Sequence, residues 1–352
     1  MEKKDLSALD AKFEAQKIAF APVLFQVTLS LRNLGVLEYL FKNRKGASIS
    51  DMSRDLNISR YGLQVLLETG YTGGVVDQID DETYTITKTG YFLLSDKMTK
   101  VNMDFTNDVC YKGLSHLEEA IVKGEPSGLK ELGSWETIYE GLKDLDKKTQ
   151  DSWFAFDHFY SDDSFPKALK TVFKDKPKHI IDVGGNTGKW AMACCNYDPD
   201  VKVTIVDLPG QIKMASENVR KAGFADRISF VPINMLRPDK LIPEGDVIWM
   251  SQFLDCFSEN EIVAILKHAS KSLGKNARVF IMETFWDNQK FPAASFSLAA
   301  TSVYFTALAN GNSKMYGRKI FLDLVAQAGL ELEKEYSEIG ISHTILKTKN
   351  PH

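Results

Sequence analysis

His179-Ile-Ile-Asp-Val-Gly-Gly-Asn-Thr-Gly-Lys-Trp-Ala-Met192 is the stretch from which the rest of the chain is read. His179 to Val183 is a short apolar run with Asp182 near its tip, the pattern of a buried parallel strand. Gly184, Gly185 and Gly188 allow a tight turn and a close approach of backbone to a ligand. Asn186 stands among them, and asparagine is the next residue most tolerant of left-handed backbone. Thr187 to Met192 then opens a helix, whose N-terminus faces whatever lies above the turn.

A dinucleotide turn reads G-x-G-x-x-G, with nothing acidic beside the pyrophosphate. Here the spacing is D-x-G-G-x-x-G, and an acid at the strand tip suits a ligand with a positive amino group better than one with two phosphates. Val201-Lys-Val-Thr-Ile-Val206 reads as the next strand. Asp207 follows it, nineteen residues past Gly188, where nucleotide-binding units place a ribose-binding acid. The plain alternative is a tight turn in a doubly wound sheet with no ligand.

Asp182-Val-Gly-Gly-Asn-Thr-Gly188 and Val206-Asp-Leu-Pro209 resemble the first two cofactor motifs of S-adenosylmethionine-dependent O-methyltransferases. The likeness is closest to the acetylserotonin and caffeic acid group and to bacterial relatives acting on aromatic polyketides, and it covers nearly the whole chain. It implies an α/β fold, a Rossmann-like doubly wound sheet with one antiparallel strand, preceded by an α-rich winged-helix dimerisation domain. It implies S-adenosylmethionine as cofactor, a small aromatic or phenolic acceptor and a homodimer. The cofactor positions carried over are Asp182, Gly184, Gly185, Asn186, Gly188, Asp207 and Leu208. Asn234-Met235 stands where the family has Asp-Met against the adenine, so Met235 is expected on the ring face and Asn234 as an acceptor for the adenine amino group. Ser251 stands where plant members place a lysine.

A chain of 352 residues accommodates two domains and a large core. Its net charge of -4 leaves no broad electrostatic footprint for nucleic acid. Cys110, Cys194, Cys195 and Cys256 lack metal-ligand or disulfide spacing and read as free thiols in a reducing compartment. The N-terminus carries no apolar signal region, so a cytoplasmic location is expected. No charge occurs between Lys290 and Lys314, but the serines, threonines and Asn310 there make the stretch too polar for a membrane span. A buried helix lining a pocket is expected instead.

Three regions follow: a winged-helix-like dimerisation domain over 1–100, a helical connector to the acceptor pocket over 101–176, and the cofactor-binding domain over 177–352. Residues 11–43 give one or two helices with a broad apolar face. Ser50 is a plausible N-cap for the next short helix, and another spans Ser59 to Thr69 and ends at Gly70. Val75 to Thr87 alternates as a hairpin. A DNA-binding winged helix needs clustered Lys and Arg. The would-be recognition helix has one Arg and one Glu, and the hairpin tip Asp80-Asp-Glu82 is acidic, so a nucleic-acid regulator is disfavoured. In the connector, Trp153, Phe154, Phe156, Phe159 and Tyr160 crowd one stretch that borders the acceptor pocket in the resembled family. Beyond 176, strands near 179–183, 202–206, 228–231, 246–250, 278–282, 331–337 and 342–348 alternate with helices. The last two read as a hairpin, placing one antiparallel strand at the end of the sheet.

The acceptor side departs from the family. Its motif His-Asp-Trp-Ser-Asp-Glu, with the histidine as base, aligns with Asp255-Cys-Phe-Ser-Glu-Asn260. The histidine position is Asp255. The first supporting acid is kept as Glu283; the second falls at Met315. Asp255 reads equally as a catalytic group or as an acid at the start of the 258–273 helix. His158 is a possible substitute base. Base catalysis contributes roughly 10²–10⁴-fold, whereas positioning supplies roughly 7–11 kcal/mol. Methyl transfer to an acceptor that arrives already ionised is therefore the leading expectation. The alternative is a catalytically eroded ligand-binding or scaffold protein.

Overall fold

The computed structural model describes residues 5–350, which divide into two compact units meeting in sequence at Asn107 and Asp108. The first unit begins with three helices, Ala8–Ala19, Ala21–Asn33 and Val36–Lys42, rather than one or two. Pro22 starts the second and Gly35, at φ 79°, separates the third. The next helix, Ile49–Leu56, is capped by Ser48, not Ser50. Ser48 has extended backbone, so its hydroxyl reaches the Asp51 N–H at 3.0 Å, while Ser50 accepts from Arg60. Helix Arg60–Thr72 runs straight through Gly70. Gly70 is a packing residue: a Cβ there would lie 3.0 Å from Leu31.

Strands β1 (Ala47–Ser48), β2 (Val76–Asp80) and β3 (Thr83–Ile86) form an antiparallel wing in the order β1-β3-β2. Leu31, Leu37, Leu40, Met52, Leu63 and Leu67 fill the core of this unit. Helix Ala8–Ala19 buries nothing, and Leu9, Phe13 and Ile18 are exposed.

The second unit holds β4 (His179–Val183), β5 (Lys202–Asp207), β6 (Ile228–Pro232), β7 (Gly245–Ser251), β8 (Leu273–Thr284), β9 (Glu331–Ile339) and β10 (His343–Lys349). They form one sheet in the order β6-β5-β4-β7-β8-β10-β9. β4 to β8 are parallel; β10 runs against both its neighbours. The antiparallel strand thus lies one place in from the edge. The sequence explains why: β10 is nearly all buried, whereas β9 is charged and exposed, which suits an edge.

Both faces of the sheet are covered. Ile181, Val183, Ile248 and Met250 pack on one side with helices Glu259–Ser270 and Arg318–Gln327. Ile180, Val203, Ile205 and Trp249 pack on the other with helices Phe165–Val172, Lys189–Tyr197 and Pro209–Lys221. Alternation along β4 splits Ile180 and Ile181 between the two layers. The uncharged stretch forms helix Pro292–Tyr304 and a π-helical turn, Phe305–Ala309. Its second half is buried as expected, but Phe291 and Phe296 near its start are exposed. Among the described residues no helix is long and apolar enough to cross a membrane.

Candidate functional site

Strand order turns distant sequence positions into neighbours. β5, β4, β7 and β8 lie side by side and point the same way, so their carboxyl ends form a row. That row carries Asp207, Asp182 with its glycine turn, Ser251 and Glu283. β4, the first strand, sits between β5 and β7, the switch point where open α/β sheets bind ligands.

The glycine turn is held by its own backbone. Gly184, Asn186 and Gly188 have φ of 77°, 47° and 83°. Gly184 N–H donates to Val206 O at 2.8 Å. Asp207 accepts the Asn186 N–H at 2.8 Å and the Leu208 N–H at 2.7 Å, tying the turn to β5. Helix Lys189–Tyr197 follows with Gly188 as its N-cap, two residues later than the expected start at Thr187. A Cβ at Gly184 would meet the Phe253 ring at 2.3 Å, and one at Gly185 would meet Asp182 Oδ2 at 2.8 Å.

Asp182 is 3% exposed, and its Oδ2 has no hydrogen-bond partner. Burial pushes its pKa up to about 8, and Asp207 adds to the shift. Asp207 is pushed up to about 6 by burial, against the pull of its two N–H donors. A buried, unpartnered carboxylate is costly. It fits a site whose missing partner is a cationic group, as the amino end of S-adenosylmethionine would be.

At the positions expected to face adenine the fit is partial. Asn234 is exposed, and its Oδ1 already accepts the Leu236 N–H at 2.9 Å. Met235 is buried in the core beside Ile233 and Ile242. Ser251 ends β7, half-buried, and Gln252 after it takes φ 46°.

Asp255 lies in a 3₁₀ turn, Leu254–Cys256, and is 5% exposed. It does not cap the following helix: Ser258 is the N-cap and forms a capping box with Glu261. Burial raises the Asp255 pKa to about 6, although the Cys256 thiol donates to its Oδ1 at 3.5 Å. Glu283 Oε1 accepts the N–H groups of Phe253 and Leu254, at 3.1 and 2.9 Å, and so clamps the turn that carries Asp255. Glu283 Oε2 is buried without a partner. Burial, then the nearby Asp255, pushes the Glu283 carboxyl well above its ordinary range. Met315, at the position of the family's second acid, is buried, with the Thr284 hydroxyl 3.4 Å from its sulfur.

Helix Lys147–Asp162 brings a residue that the sequence reading passed over. Asn186 Nδ2 donates to Asp157 Oδ2 at 3.2 Å, and Lys189 pairs with Asp162 at 2.6 Å. Asp157 thereby touches the glycine turn. Its pKa rises to about 7 through burial, then Asp255 and Asp162. An acid inside the aromatic run Trp153 to Tyr160 was the available signal. His158 stacks on Phe154 with ring centroids 5.7 Å apart, and burial, then Lys189, lowers its pKa. Trp153 Nε1 donates to the Tyr304 hydroxyl at 2.8 Å, and the buried Tyr139 hydroxyl lies against the Cys256 thiol.

Comparison with known proteins agrees with this architecture. An O-methyltransferase domain model matches residues 164–331, and a Dimerisation2-like domain model matches residues 12–84. Bacteriochlorophyllide d C-20 methyltransferase of Chlorobaculum tepidum is 23% identical, over 65% of this chain and 66% of its own length. Acetylserotonin O-methyltransferase 1 of Oryza sativa subsp. japonica is 24% identical, over 78% of this chain and 76% of its own. Among solved structures, the apo form of the S-adenosylmethionine-dependent methyltransferase SibL superposes with a TM-score of 0.73 at 20% identity, over 96% of this chain and 98% of that one.

Proposed function

We propose that this chain, which belongs to the S-adenosylmethionine-dependent O-methyltransferase family, methylates the hydroxyl of a small aromatic acceptor with Asp255 as the base. The observation that carries the reading is the buried, unpartnered carboxylate of Asp182 beside a glycine turn that Asp207 pins. When bound, the cofactor supplies a methyl group from a sulfonium centre and leaves as a neutral thioether. In this assignment Asp182, Gly184, Gly185, Asn186 and Gly188 hold its amino-acid end. Asp207 and Leu208 serve the ribose, and Asn234, Met235 and Ser251 border the adenine.

What supports Asp255 as base, over an acceptor that arrives ionised, is the set of acids around it. Asp255 acts on both Asp157 and Glu283, and Lys189 is already paired with Asp162. A phenolate placed there meets like charge. A neutral hydroxyl does not, and it needs a proton acceptor. Asp255, raised toward about 6, is a stronger base than an ordinary carboxylate. The acceptor oxygen keeps its electron pair and gains the methyl group, while Asp255 gains the proton. Glu283 acts as a positioning residue through the backbone of Phe253 and Leu254.

Residues 1–100 are assigned as a dimerisation domain, 101–176 as the connector to the acceptor side and 177–352 as the cofactor-binding domain. The test is methyl transfer from labelled cofactor to phenols of graded pKa, paired with calorimetry of S-adenosylhomocysteine binding. Turnover of neutral phenols that collapses in Asp255→Asn with product affinity intact supports the reading. Product binding without turnover of any phenol supports the scaffold reading instead, which Met315 in place of an acid favours.

A further inference from the structure

We propose that Gln252 is a further contact of the cofactor, its side-chain amide accepting a hydrogen bond from the cofactor's ammonium group beside Asp182. This rests on the S-adenosylmethionine reading of the site and adds a residue to it. Gln252 follows Ser251, the last residue of β7. β7 lies beside β4, with Met250 opposite Val183, so Gln252 leaves its strand where β4 enters the glycine turn. The closeness shows at the next residue, since a Cβ on Gly184 would come within 2.3 Å of the Phe253 ring. The Gln252 N–H donates to Met282 O at 2.9 Å, which fixes the backbone at this point.

Two features of Gln252 find no account within the fold. Its φ of 46° is left-handed, which residues other than glycine and asparagine seldom adopt. Glycine would make the same turn at no steric cost, so the turn by itself does not explain a glutamine. Its Oε1 is buried and, among the described residues, accepts no hydrogen bond. Buried polar atoms are almost always satisfied, and backbone strain gathers at ligand sites. Asp182 Oδ2 and Asn186 Oδ1 are buried and unpartnered in the same way. Asp182 Oδ2 lies under the glycine turn, 2.8 Å from where a Cβ on Gly185 would be, and Asn186 is the next residue of that turn. Three acceptors without donors thus stand at the adjoining ends of β4 and β7. An ammonium carries three N–H donors and no acceptor, which matches them. The cofactor's carboxylate would set acceptors against acceptors. Glu283 lies one strand further along the row and already takes the Leu254 N–H, so it is not counted with the three.

The probes are S-adenosylhomocysteine, its decarboxylated form, which keeps the amine, and methylthioadenosine, which lacks the whole amino-acid end. Each is titrated calorimetrically into the full chain. Gln252→Met keeps the length of the side chain and removes the acceptor. Gln252→Gly removes the side chain and suits the left-handed backbone, so it serves if the methionine variant does not fold. Both variants are expected to bind the two amine-bearing ligands at least about tenfold more weakly than wild type, with methylthioadenosine within about twofold. Unchanged affinity for S-adenosylhomocysteine overturns the proposal. An equal loss for all three ligands also overturns it, since that is what a merely structural glutamine would give. A loss confined to S-adenosylhomocysteine, sparing the decarboxylated form, places the amide on the carboxylate and overturns the ammonium assignment. Wild type that binds none of the three at millimolar concentration refutes the cofactor reading and this inference with it. Wild type that binds S-adenosylhomocysteine while both variants match it refutes this inference alone.

Discussion

Asp182→Asn removes a buried β4 carboxylate beside the glycine turn that has an unpartnered oxygen, and the structure fixes the sign of its effect on stability. The folded-state pKa of about 8 lies above the unfolded value near 3.9, so the folded chain binds this proton more tightly. Stability from this group is fully present below about pH 4 and is lost as the pH rises toward 8. At pH 7 about three units separate the solution from the unfolded pKa, which converts to a ceiling of roughly 4 kcal/mol against folding. The substituted amide returns part of this, since an unsatisfied buried donor costs about 1–3 kcal/mol. The variant is therefore expected to be about even with wild type at pH 5 and more stable by roughly 1–3 kcal/mol at pH 7 to 8. Thermal unfolding of the cofactor-free protein reads this directly, at about 2–4 °C per kcal/mol for a unit of this size. The same substitution is expected to weaken S-adenosylhomocysteine binding by about tenfold or more, because a charge-assisted contact is worth roughly 1.5–3 kcal/mol. A Tm difference that does not grow with pH, or a variant less stable than wild type at pH 8, would refute the reasoning.

Asp255→Asn is expected to lower turnover by about 10²–10⁴-fold with unchanged S-adenosylhomocysteine affinity; a loss below about tenfold would return the mechanism to an acceptor that arrives ionised. Asp207→Ala is expected to cost more affinity than a ribose contact alone, because it also releases the Asn186 N–H of the glycine turn. Calorimetry showing wild-type affinity would remove Asp207 from the site. Light scattering at micromolar concentration is expected to find a homodimer, since helix Ala8–Ala19 buries no residue within its own chain and exposes Leu9, Phe13 and Ile18. A monomer at that concentration would count against it. Met315→Glu alone is expected to destabilise the fold increasingly as pH rises, and Asp255→His in the same chain to relieve much of that cost; strictly additive melting shifts would deny the coupling.

The parallel sheet was legible because its strands are short apolar runs between helical patterns, and the glycine turn because its backbone needs specific residues. Element ends were less legible. Gly70 reads as a stop, yet it lies inside helix Arg60–Thr72 because Leu31 packs against it, a contact set by a helix far away in sequence. Ser48 and Ser50 are equally good caps by type, and the backbone angles at Ser48 decide between them. Along the row of strand ends, Asp182 and Asp207 were readable from their places at strand tips, and Glu283 from the resemblance alone. Asp157 was not, because its meaning comes from the Asn186 amide beneath it and from Asp255 on another element. The position of β10 inside β9 follows from burial along the two strands, which a hairpin pattern alone does not rank.

On the proposed assignment, with Asp255 and Met315 at two positions of the resembled family's acceptor motif, the two departures make physical sense together. A histidine between two acids can gain a proton and be stabilised by both. With Asp255 in its place, two retained acids would put three carboxylates in one buried neighbourhood. Asp255 already raises the Glu283 carboxyl, and burial is the larger cause at both. A third charge would add like-charge repulsion where solvent screening is weakest. Met315 avoids that charge, and the Thr284 hydroxyl contacts its sulfur at 3.4 Å. Glu283 is then freed from orienting a base ring. It holds the base another way, by taking the backbone N–H groups of Phe253 and Leu254 and fixing the turn on which Asp255 sits. On that assignment the proton-accepting role passes to a carboxylate whose basicity comes from burial, and a neutral residue at 315 makes that carboxylate tolerable.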